Sequence, residues 1–168
     1  MQKTFDIEFE KAVRFLVEHM PVSEEGSRKP VLSHDIRVGV YLYEKKYSRE
    51  VVLAGLLHDT LEWSNVTQDL LEKGFGGDVL KLVKANTKDR SIENGDERIE
   101  ELVRRAAECG EEALIIKTAD TFDSFKYYTK TQNKSELDYC RKNAEAILKY
   151  KPVDFRDGIF EEVEEWAG

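Results

Sequence analysis

The chain has 168 residues, 40% of them hydrophobic and 36% charged, with a formal net charge of −8. This length is read as a single domain over 1–168, with a core that needs neither disulfides nor a structural metal. The acidic balance excludes duplex nucleic acid as a partner, because that requires a basic face.

Apolar residues recur at intervals of three and four, the helical period. Residues 5–19 put Phe5, Phe9, Ala12, Val13, Leu16 and Val17 on one stripe, and Pro21 stops that helix. Residues 21–30 read as a loop. A helix over about 31–46 has Val31, Val38, Tyr41 and Leu42 as core candidates. The next runs from Ser48, its N-cap, to about Trp63. Thr67 caps a short helix over 68–73 that Gly74 ends, and another covers about 78–87. Asn94-Gly95 is a turn signal before a helix over 96–108, which Gly110 breaks. A long helix over 111–129 holds Ala113-Leu114-Ile115-Ile116, the most apolar run in the chain. Ser135 opens a helix to Tyr150, ended by Pro152, and 157–166 is a weaker acidic helix. The fold class is therefore all-α, a compact multi-helix domain of eight or nine helices with no sheet.

No apolar run approaches the ~20 residues that span a bilayer, so no membrane partner is expected. Asp6, Glu8, Glu10 and Lys11 interrupt the first apolar positions, unlike a secretory signal. Cys109 and Cys140 have neither metal nor disulfide spacing, and a cytoplasmic location is expected.

Only three histidines are present. His19 ends the first helix and is assigned no chemistry. His58 ends an apolar run, Leu53-Ala54-Gly55-Leu56-Leu57, and Asp59 follows it. Two ionisable groups at the end of a buried stripe are costly unless they are paired or bind a metal. Glu62, four residues after His58, shares its helical rim. His34 opens an earlier helix, and another buried run ends at Asp120 with Lys117 one turn upstream. The bland reading of Lys117 and Asp120 is an internal ion pair. The functional one makes Asp120 a ligand beside His34, His58 and Asp59. Two imidazoles and two carboxylates suit Mn²⁺, Fe²⁺, Co²⁺ or Zn²⁺ better than Mg²⁺, with Ni²⁺ a further candidate.

This pattern resembles the HD superfamily of metal-dependent phosphohydrolases, whose ligand order is His, His-Asp, then a distant Asp. It is most similar to the RelA/SpoT-type hydrolase domain and its small stand-alone relatives. Lys29-Pro30-Val31-Leu32-Ser33-His34, Ala54 to Glu62, Phe75-Gly76-Gly77-Asp78-Val79 with Leu82-Val83, Thr87-Lys88, and Lys117-Thr118-Ala119-Asp120 carry the likeness in order. A collinear set is more specific than any one member. The resemblance implies a hydrolase that removes the 3′-pyrophosphate of (p)ppGpp with Mn²⁺. It makes His34, His58, Asp59 and Asp120 the metal ligands and Glu62 the acid/base. Arg28, Lys29, Lys117 and Asp123 are its candidates for the substrate side of the site.

The chain departs from the family at three places. Trp63 stands where the family has a second carboxylate, and Thr121 and Ser124 replace its basic residue and asparagine. Asp123, one turn from Asp120, is the candidate replacement carboxylate. Three readings follow: an alarmone-type pyrophosphohydrolase; a nucleoside 5′-monophosphatase or other nucleotide phosphohydrolase of HD type; and a catalytically degenerate HD domain that binds a metal, a nucleotide or a partner. In the first two the partner is a small phosphorylated nucleotide, and the oligomeric state is left open.

Overall fold

The computed structural model describes residues 2–23 and 28–167, so residues 24–27 of the expected loop lie outside the described residues. The described residues contain ten helical segments and no strand. One is a four-residue turn, which leaves nine helices of eight residues or more, as the periodicity predicts. No described helix is long and apolar enough to cross a membrane. The chain groups into two compact units, 1–87 and 88–168.

The first unit holds α1 (Gln2–His19), α2 (Val31–Glu44), α3 (Arg49–Leu57), α4 (Thr60–Trp63), α5 (Gln68–Phe75) and α6 (Gly77–Ala85). On α1, Ala12 and Leu16 are fully buried, whereas Val17, expected on the same stripe, is 61% exposed. One residue is a 100° turn of the helix, which carries Val17 off the face set by Ala12 and Leu16. Arg49 ties α3 to α1 by donating Nε and Nη2 to the two carboxylate oxygens of Glu8, at 2.8 and 2.7 Å.

Residues 51–57 of α3 are all buried. Ser48 caps the helix as expected, accepting from the Val51 amide at 3.3 Å. Two glycines set how closely α2 and α3 approach. A Cβ on Gly39 would stand 2.3 Å from Leu56 Cγ, and one on Gly55 would stand 2.3 Å from Leu42 Cδ1. That approach sets His34, near the start of α2, beside His58, just past the end of α3; their ring centroids are 5.2 Å apart.

The single helix expected over 48–63 is broken. α3 stops at Leu57 and α4 restarts at Thr60. At the break, side chains take α3 carbonyls: His58 Nδ1 donates to Gly55 O at 2.7 Å and Thr60 Oγ1 to Leu57 O at 2.6 Å. The ladder resumes on Asp59 O, which accepts from the Glu62 and Trp63 amides. Similarly, α5 runs past Gly74 to Phe75, whose ring packs edge-on against Phe15 of α1 at 5.2 Å. The helix ends at Gly76, whose φ of 96° favours glycine.

The second unit holds α7 (Gly95–Cys109), α8 (Glu111–Thr131), α9 (Lys134–Tyr150) and α10 (Ile159–Ala167). Asn94, read above as a turn residue, is the N-cap of α7; its Oδ1 accepts from the Asp96 and Glu97 amides at 2.9 and 3.1 Å. Asn133, not Ser135, caps α9, accepting from the Glu136 amide at 3.3 Å. Residues 113–119 of α8 are all buried, as the apolar run predicts. The acidic α10 buries Ile159, Phe160 and Val163, and its Trp166 packs against Phe122 and Phe125 of α8.

Candidate metal centre

In the first unit, His34, Asp35, His58 and Asp59 each place a donor atom within 4.8 Å of the others. None is more than 7% exposed. Three of the four are expected ligands, and Asp35 is the addition. It lies on the buried face of α2 with Val38, Gly39 and Leu42, which follow it at three, four and seven residues. That register was visible in the sequence and would have found it.

The hydrogen bonds fix which imidazole nitrogens carry lone pairs. A carbonyl oxygen only accepts, so His58 Nδ1, 2.7 Å from Gly55 O, carries the proton. When the ring is neutral its lone pair is on Nε2, with Asp59 Oδ2 3.6 Å away. An ammonium only donates, so His34 Nε2 accepts from Lys29 Nζ at 2.8 Å. A cation held by His34 through that nitrogen therefore takes the place of the Lys29 ammonium.

This donor set fits a divalent cation. Donors that share a first-row ion at about 2.1 Å lie within about 4.3 Å of one another, close to the spacing found here. Asp35 and Asp59 also put two negative charges in a nearly dry site, where like charges disfavour each other's ionised form. A divalent cation offsets both.

Glu62 is half-buried on α4, its amide bonded to Asp59 O at 3.1 Å. Trp63 next to it is 42% exposed. Arg28 is exposed, whereas Lys29 engages His34. His19 lies against Phe15, with ring centroids 4.3 Å apart and planes tilted by 54°.

In the second unit, α8 brings Lys117 and Asp120 together, with Nζ 2.8 Å from Oδ2. Burial pushes the Lys117 ammonium down, but the charges of Asp120 and Tyr139 outweigh burial and nearby Lys88, holding its pKa above the usual lysine value. Ser124 Oγ donates to Asp120 O at 2.9 Å, and Thr121 Oγ1 to Lys117 O at 2.8 Å. The two departures on α8 thus both reach the helix's own carbonyls, and Ser124 Oγ is also 3.5 Å from Asp120 Oδ1. Asp123 is half-buried on the same helix.

A family described as the HD domain matches residues 12–160. A guanosine-3′,5′-bis(diphosphate) 3′-pyrophosphohydrolase of Aquifex aeolicus (strain VF5) is 27% identical over 165 residues, which are 95% of this chain and 23% of that protein. The MESH1 guanosine-3′,5′-bis(diphosphate) 3′-pyrophosphohydrolase of Danio rerio is 37% identical over 93 residues, 54% of this chain and 51% of that one. This chain thus spans about a quarter of the first relative and about half of the second. Among solved structures, a metazoan ortholog of SpoT that hydrolyses ppGpp aligns with a TM-score of 0.75 at 22% identity, covering 95% of this chain and 93% of its own. A protein of Listeria monocytogenes EGD-e aligns with a TM-score of 0.70 at 20% identity, covering 88% and 96%. At these identities the structural likeness speaks for the shared helical fold.

Proposed function

This chain belongs to the HD-domain family, and from that premise we propose that it is a metal-dependent phosphohydrolase acting on the 3′-pyrophosphate of (p)ppGpp. The observation that carries the reading is the buried cluster that holds His34, His58 and Asp59, whose donor atoms lie within 4.8 Å of one another. The names of the Aquifex and Danio relatives supply the substrate.

His34, His58 and Asp59 would hold the ion, with Mn²⁺ the proposed metal. Asp120 is proposed as the fourth ligand on the order of the family's motif alone. A divalent cation bound there lowers the pKa of water and polarises a phosphate oxygen. The remaining work falls to this chain's own side chains. Glu62 takes the proton of the attacking water. Water adds to the phosphorus next to the 3′ oxygen, that P–O bond breaks, the 3′ oxygen takes up the proton carried by Glu62, and pyrophosphate is released. Lys29 and Arg28 meet the phosphate charge. Lys117 orients the carboxylate of Asp120, and Asp123 supplies the negative charge that Trp63 lacks.

Trp63 favours a second reading, a nucleoside 5′-monophosphatase of HD type, because that chemistry does not call on the missing carboxylate. A panel of ppGpp and nucleoside mono- and triphosphates with Mn²⁺ or Co²⁺ separates the two. Pyrophosphate release from ppGpp supports the first reading, and phosphate release from monophosphates alone replaces it with the second. Glu62→Gln should lower kcat on the preferred substrate by roughly 10²–10⁴-fold. Silence across the panel, with metal bound, would overturn the catalytic reading.

A further inference from the structure

We propose that Asp35 is a positioning residue of the metal centre, lying against the Nδ1 edge of His58 and holding that ring with Nε2 turned toward the cation. The inference rests on the reading of the cluster as a metal site.

Asp35 has no solvent exposure. It occupies a position of α2 whose neighbours on the same face are Val38, Gly39 and Leu42, all buried. The helical pattern calls for an aliphatic side chain there, and a carboxylate is costly in such a place unless its charge is used. It is not a helix cap. It is the fifth residue of α2, and the amide of His34 before it already bonds Pro30 O at 3.1 Å. The benefit of a negative charge to the helix dipole fades within the first turn.

Its carboxylate meets the ring instead. Asp35 Oδ1 is 3.7 Å from His58 Nδ1, and Asp59 Oδ2 is 3.6 Å from Nε2 on the opposite edge. The Nδ1 proton goes to Gly55 O at 2.7 Å, so Asp35 acts on the ring by charge, not by a direct hydrogen bond. An anion beside the N–H edge stabilises the Nδ1–H tautomer and disfavours a lone pair there. Asp35 thus adds to the bond from Nδ1 to Gly55 O and opposes the pull of Asp59 on Nε2, which is kept as the donor. Ligating histidines commonly give their other N–H to a backbone carbonyl or a carboxylate. His58 has the carbonyl in contact and the carboxylate just beyond it.

The test uses metal-free whole protein, wild type and Asp35→Asn, titrated with Co²⁺ and followed by visible absorption. The His58 tautomer is read in the same samples before metal is added, from long-range ¹H–¹⁵N spectra. Asp35→Asn is expected to bind one Co²⁺ per chain with the wild-type absorption spectrum, but roughly 10–100-fold more weakly. His58 is expected to be Nδ1–H in wild type and a tautomer mixture in the variant. Unchanged affinity and an unchanged tautomer would overturn the proposal. A changed Co²⁺ spectrum would overturn it differently, because it would make Asp35 a direct ligand. Absence of Co²⁺ binding by wild type would sink the metal centre itself, and the tautomer comparison would still decide what Asp35 does to the ring. Asp35→Ala serves as a second variant, with helical circular dichroism showing whether each protein is folded.

Discussion

Replacing Gly39 with alanine places a methyl group where α2 crosses α3. The new Cβ would stand 2.3 Å from both Cγ and Cδ2 of Leu56, whereas carbon atoms prefer about 3.5–4.0 Å. Turning Leu56 about χ2 moves Cδ2 and leaves Cγ in place, so relief requires a χ1 change in a filled core or separation of the helices. Overpacking of this kind costs about 1–3 kcal/mol, and a clash with a branch atom belongs at the upper end. Alanine returns about 1 kcal/mol through helix propensity. The net loss is then about 2 kcal/mol, or about 4–8 °C in Tm for a chain of this size. Gly55→Ala is the internal control. Its Cβ meets only Leu42 Cδ1 at 2.3 Å, with Cγ at 3.7 Å, so a side-chain rotation relieves it and propensity offsets the remainder. Thermal melts of both variants by circular dichroism decide the matter. The crossing argument fails if Gly39→Ala melts at or above wild type, or no lower than Gly55→Ala.

The remaining predictions concern the two units separately. Glu8 has its carboxyl held below the ordinary range, chiefly by the hydrogen bond from Arg49. A depressed folded pKa gives stability that is present above the unfolded value, near 4.3, and is lost as the pH falls through the folded one. Glu8→Gln should therefore lower the urea midpoint at pH 6, by no more than about 1 kcal/mol for a pair so partly exposed. The gap should narrow as the pH falls below the unfolded value, and a gap that stays constant with pH would refute the linkage. Asn94→Ala removes the cap that accepts two α7 amides; it should cost about 1 kcal/mol, read as a lower Tm, while Asn94→Asp should keep most of it.

The cluster of His34, His58 and Asp59 was legible because ionisable residues at the end of a buried apolar run demand a partner. Asp35 was equally legible by register, since Asp35, Val38, Gly39 and Leu42 follow one helical face. The break between α3 and α4 was not legible. Apolar periodicity continues through Leu61, and what interrupts the helix is a pair of side-chain donors that composition does not distinguish from helical residues. Gly74 and Gly76 were both plausible ends for α5. Which one ends it depends on Phe75 reaching Phe15 of α1, a contact sixty residues away in sequence. Asn94-Gly95 carries the same signal for a turn and for a cap, because in both the asparagine oxygen accepts from amides just ahead of it.

The break at His58 also explains why the site stands where it does. A histidine inside a continuous helix would compete with the ladder for the carbonyl three residues back. Just past Leu57 the ladder of α3 has ended, and the bond from His58 Nδ1 to Gly55 O does two things at once. It satisfies a carbonyl at the helix end, and it holds the ring proton on the nitrogen that faces away from Asp59. Thr60, fully buried, does the same for Leu57 O and lets α4 start from Asp59. The next turn then carries Glu62 on from Asp59 without lengthening α3. A regular helix through 48–63 would have used Gly55 O for its own ladder and taken that bond away from His58. The break in the helix is therefore the local feature that turns two adjacent residues of a core run into an oriented pair of side chains, as the proposed metal centre requires.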